Sequence, residues 1–136
     1  MKTDVLDYRM RRIVDLPYKE AVERTRRELA REGFGVLTEI DVAATLQAKL
    51  NADFRPYVIL GACNPSMAHR ALITEPDIGV LLPCNVVVYA ADARGRSVAA
   101  AVDPETSLAR VGNEALGPVA TDVKARLRRV LDQVAG

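Results

Sequence analysis

Cysteine, histidine and charge of one sign are all scarce in this chain of 136 residues. With two cysteines and one histidine, there are too few thiols for a disulfide framework and at most three soft ligands for a metal. Cys63, Cys84 and His69 would need Glu39, Asp41 or a second subunit to complete a four-ligand set, so no metal site is assigned. Nineteen Lys and Arg stand against eighteen Asp and Glu, a net charge of +1. That is too little for the broad positive field that holds a phosphate backbone, and no nucleic-acid partner is expected. The basic clusters Arg24–Arg27 and Arg126–Arg129 lie beside acidic residues and read as solvated helix faces. Long apolar runs are missing too. The longest, Ile78–Ala91, is broken by Pro83 and Asn85 and falls short of the ~20 residues of a membrane helix, while Met1–Asp7 has no apolar signal-peptide core. These features predict a cytoplasmic protein without a membrane partner, whose thiols are free. No Ser-His-Asp order, Gly-rich phosphate loop, nucleotide fingerprint or Cys-x-x-Cys spacing is present, so neither a cofactor nor a catalytic residue is assigned.

What the chain does have is the size and composition of one globular domain over residues 1–136, 49% hydrophobic and 27% charged. A chain of this length buries roughly two-thirds of its unfolded surface and folds without a metal or a bridge. Tyr8–Val14 alternates loosely as a strand. Pro17 opens a helix in which Tyr18, Val22, Thr25 and Leu29 recur at helical spacing until Gly33 stops it. Phe34–Ile40 alternates as a second strand, and Asp41 caps a helix with a narrow stripe of Val42, Leu46 and Leu50. Tyr57–Ala62 is a third strand. Asn64-Pro65 is a cap followed by a first-turn proline, starting a short helix that runs to about Thr74, and Pro76–Gly79 is a turn. Because Pro83 cannot donate to a ladder, the fourth strand is expected to pair from near Asn85. Asp92–Arg96 connects it as a hairpin to Ser97–Val102. Asp103-Pro104 repeats the cap-then-proline pattern. Pro118 opens the last helix, with Val119, Val123, Leu127, Val130 and Val134 on one stripe. Long helices at the ends and strands between them predict a two-layer α+β domain: one mainly antiparallel sheet of about five strands with helices on one face.

The stretches Phe34–Val42 (FGVLTEIDV), Leu60–Pro65 (LGACNP) and Leu81–Val86 (LLPCNV) resemble, in order and spacing, the family called domain of unknown function 302. The likeness runs from about Val14 to Leu131. It implies a β-α-β-β-β-β-α fold similar to that of the TATA-binding-protein class and leaves the activity open. The family's characteristic positions fall here on Glu39, Asp41, Lys49, Cys63-Asn64-Pro65 and Pro83-Cys84-Asn85. Fold likeness to a DNA-binding protein carries no inference of DNA binding.

Two Cys-Asn pairs flank neighbouring strands, and each places an amide beside a thiol. Cys63 precedes a helix cap, where the positive end of the helix dipole favours a thiolate; it also reads as a small buried side chain closing a strand. The pairs are expected to meet at one hollow, as a dithiol redox site or as the floor of a small-ligand pocket lined by Cys63, Asn64, Cys84, Asn85, Glu39, Asp41 and Lys49. Glu39 and Asp41 share a strand face, and Glu39 is a candidate acid or base, or a partner for Lys49. His69 reads as a surface side chain. The other readings are a homodimer with structural or regulatory roles, joined through a strand edge or helix face, and a thiol or metal sensor.

Overall fold

The computed structural model of the chain describes residues 7–92 and 94–136. Met1–Leu6, most of the stretch without an apolar signal-peptide core, and Ala93, within the hairpin connection, lie outside the described residues. Five strands form one antiparallel sheet: β1 (Arg9–Val14), β2 (Gly35–Asp41), β3 (Tyr57–Cys63), β4 (Cys84–Ala90) and β5 (Ser97–Val102), in the spatial order β1-β5-β4-β3-β2. The fold is therefore the two-layer α+β arrangement that the sequence predicts. Five helices complete it: α1 (Tyr18–Arg31), α2 (Val42–Leu50), α3 (Pro65–Thr74), α4 (Pro104–Ala109) and α5 (Gly117–Ala135), with short 3-10 turns at Pro76–Leu81 and Glu114–Leu116.

Strand periodicity sends alternate side chains to opposite faces of this sheet. On one face Val58, Leu60 and Ala62 of β3, Val86 and Val88 of β4, and Ala99 and Ala101 of β5 are buried against Leu29 of α1 and Val123, Leu127, Val130 and Val134 of α5. The apolar stripe predicted for α5 is the one that is buried. In α1 the buried set is Ala21, Thr25, Glu28 and Leu29, and the Thr25 hydroxyl is satisfied by donating to the Ala21 carbonyl at 2.7 Å. The fourth strand pairs one residue earlier than expected, because Cys84 already opposes Ala62 directly after Pro83. The other face carries Ile13, Tyr57, Ile59, Val87, Tyr89 and Ala100, half-buried or exposed, together with Val98, which is buried. Helix α2 buries none of its residues. No helix among the described residues is long and apolar enough to cross a membrane.

Candidate functional site

Where β3 and β4 end, α3 begins. The Asn64 side chain accepts from the Met67 amide at 3.3 Å, Pro65 takes the first helical turn, and the Asn64 amide reaches back to the Glu32 carbonyl at 3.5 Å, tying α3 to the end of α1. Arg126 of α5 donates to the same carbonyl at 3.0 Å. Under this junction lies a cavity of about 40 Å³, walled by Phe34, Cys63, Met67, Leu82, Cys84 and Leu108, with further side chains from α4 and α5. A void of that size has room for two or three waters, or for one ion. Its lining holds no Asp, Glu or His, and Asn64 and Ser107 are its polar side chains.

Both cysteines are free and both line this hollow. Ala62 and Cys84 are direct partners across the ladder, and Cys63 is the next residue of β3, on the opposite side of the strand from the Cys84 side chain. Burial pushes the Cys84 thiol up to about 11, and the nearby Cys63 adds to the rise. A thiol raised so far is protonated at neutral pH, so Cys84 is a poor nucleophile.

The structure brings Cys63, Asn64 and Cys84 together and leaves the other predicted residues elsewhere. Asn85 follows Cys84 in a regular strand, so it points to the opposite face, beside Val87, Tyr89 and Tyr57. Glu39 is exposed on the edge strand and pairs with Arg26 of α1 rather than with Lys49 or the thiols. Asp41 is spent as the cap of α2, accepting from the Ala44 amide at 2.9 Å. Lys49 lies exposed in the last turn of α2, and His69 is exposed on α3, outside the lining. Among the described residues no group of three His, Cys, Asp or Glu could hold a metal ion. Met67 of α3 also lines the hollow. The contributions of Pro104, Leu108, Val119 and Val123 had no local signal, since they depend on where α4 and the start of α5 dock.

The sequence profile of the family described as Domain of unknown function DUF302 matches residues 10–134. The crystal structure of an uncharacterized conserved DUF302 protein from Bacillus stearothermophilus is similar throughout, with a TM-score of 0.86 and 34% identity over 93% of this chain and 98% of that one. No curated protein matches the chain.

Proposed function

The chain belongs to the DUF302 family, and from its sulfur-lined hollow we propose that it is a cytoplasmic binding domain for a small ligand anchored by Cys63, Asn64 and Cys84. The observation that carries this reading is that both cysteines of the chain border one cavity with an otherwise apolar wall. Binding is favoured over catalysis, because no carboxylate or imidazole lines the cavity and the Cys84 thiol is raised rather than activated. The cavity is far below the ~300 Å³ of an ordinary ligand pocket, so its guest is small. The segment 76–83 that borders it is anchored by the buried Ile78, while Val80 is 85% exposed and Leu81 42%. The test is thiol labelling of the native protein with methyl methanethiosulfonate. Reaction well faster than global unfolding supports the reading; reaction at the unfolding rate overturns it.

A second reading, a homodimer, is favoured by the open sheet face. Ile13 of β1 and Ile40 of β2 are 46% and 47% exposed at its two edges, with Tyr57, Ile59, Val87, Tyr89 and Ala100 between them. Five strands about 4.8 Å apart and some six residues long present a flat projection of roughly 24 by 20 Å. Side-chain relief brings this toward the ~800 Å² per partner of a standard interface. A second copy laid on this face would bury it, and the two readings are compatible because the hollow lies on the helix-covered side.

A further inference from the structure

Strand alternation gathers a second set of polar and aromatic side chains on the sheet face away from the helices. Arg11 of β1 pairs with Ala100 of β5, and Ala100 pairs with Val87 of β4, so the three stand in one row across the sheet. Side chains two positions away along a strand return to the same face, which adds Arg9, Asn85 and Tyr89, and Tyr89 opposes Tyr57 of β3. Between them lies a groove of about 430 Å³, within the ~300–1,000 Å³ of ordinary small-molecule sites. Its floor is Val87 and Ala100. One wall is Tyr57 and Tyr89, whose rings lie parallel within 3° at a centroid distance of 5.1 Å, and Arg55 packs over Tyr89 at 5.5 Å. The other wall is Arg9, Arg11 and Tyr8, with Arg9 over the Tyr8 ring at 5.6 Å. The Tyr57 hydroxyl is raised above 10.0 by burial first and then by Tyr89 and Tyr8, in keeping with three phenols that border one space.

The lining carries two guanidiniums and no carboxylate, in a chain whose net charge is only +1. Arg11 is exposed, and among the described residues no carboxylate pairs with its side chain. We propose that this groove binds a small aryl carboxylate, with its anionic head on Arg11 and Arg9 and its ring over Val87 and Ala100 against the Tyr57–Tyr89 wall. Charge complementarity places the head, because a guanidinium presents a planar fork that matches a carboxylate. Asn85 adds an amide donor at the same end: one step beyond the Val86–Ala101 pair, the register carries it toward Val102, the partner of Arg9. Spacing places the ring. Strands β1 and β4 are two strand spacings apart, about 10 Å, which suits a head and a flat body of one or two rings, and an aromatic wall favours an aromatic guest. Two guanidiniums meet one carboxylate but not the run of phosphates along a nucleic-acid strand. The site lies across the sheet from the cysteine hollow and is independent of it. A second copy laid on the open face would cover the same floor, so the two occupants compete for it.

The experiment is isothermal titration calorimetry of the full chain with naphthoate, with its uncharged analogue naphthamide and with acetate, alongside light scattering with and without naphthoate. We expect one naphthoate per chain, naphthamide weaker by about 10-fold or more, and no binding heat from acetate. Arg11→Gln should lower the affinity for naphthoate about 10-fold or more and leave that for naphthamide and the melting temperature unchanged. Tyr89→Leu should weaken both aromatic ligands by about 3-fold or more. Equal affinity of the parent for naphthoate and naphthamide would overturn the assignment, as would an Arg11→Gln variant that binds naphthoate as the parent does. A parent that takes up no naphthoate, whether as a monomer or as a dimer closed over this face, would overturn it too.

Discussion

Gly61 and Pro83 occupy adjoining space: a Cβ built on Gly61 would stand 2.8 Å from Cγ of Pro83 and would also strike Oγ1 of Thr38. Gly61 lies on the interior strand β3, paired with Thr38 on one side and Asn85 on the other. The absent side chain is what lets the Leu82-Pro83 segment lie against the sheet and turn Cys84 into the ladder opposite Ala62.

Gly61→Ala should therefore destabilise the fold by about 1–3 kcal/mol, the usual cost of overpacking. Part of the relief should come from Pro83 shifting away. Urea unfolding measures the first effect, and faster thiol labelling of Cys84 in the variant under native conditions measures the second.

The Cys84 thiol, pushed up to about 11 by burial and by Cys63, should stay protonated through neutral pH and ionise only in strong alkali. Titration of thiolate absorbance in a Cys63→Ser variant should show the Cys84 midpoint lowered, because the second and smaller cause of the shift is gone. A midpoint unmoved by the substitution would place the two thiols out of electrostatic reach.

Lys124 of α5 holds α4 in place, reaching Asp103 at 2.9 Å and Glu105 at 3.0 Å. Asp103 is buried and also caps α4, accepting from the Glu105 amide at 2.9 Å. Lys124→Met should cost about 1–2 kcal/mol, since it leaves a buried carboxylate without its countercharge. The pH dependence has a definite sign. Lys124 is raised from 10.5 by its bonds to Asp103 and Glu105, so its contribution is complete below 10.5 and is lost as pH rises through the raised value. Glu105 is lowered from 4.5 by its bond to Lys124, so its contribution is complete above 4.5 and is lost as pH falls through the lowered value. The difference in melting temperature between the parent and Lys124→Met should be widest near pH 7 and should narrow at both extremes.

Val87 is half-buried on the central strand of the open face. Val87→Asp should convert a dimer into a monomer by light scattering and leave the unfolding midpoint of the separated chain little changed, as the opposite face holds the core. A parent that is monomeric at all concentrations would rule out self-association through this face.

The architecture was legible because it rests on local signals. The cap-then-proline pairs at Asn64-Pro65 and Asp103-Pro104 start α3 and α4, and the Val119–Val134 stripe is the buried face of α5. The site was legible only in part. Neighbouring residues in a strand face opposite ways, so Cys84 and Asn85 take opposite faces, as do Ala62 and Cys63, and the sequence motif CN does not reveal that split. Glu39 looked available because its partner, Arg26, is distant in sequence and meets it only when α1 packs beside β2. Met67 enters the lining through the docking of α3, which no pattern within residues 65–74 encodes.

The most direct measurement of whether two cysteines distant along the chain border one chamber is site-resolved labelling of the native protein with methyl methanethiosulfonate, in the parent and in the single serine variants. We predict that each cysteine reacts well before the protein unfolds and that a label on one slows reaction of the other. Reaction of either only at the unfolding rate, or two labellings independent of each other, would contradict the account.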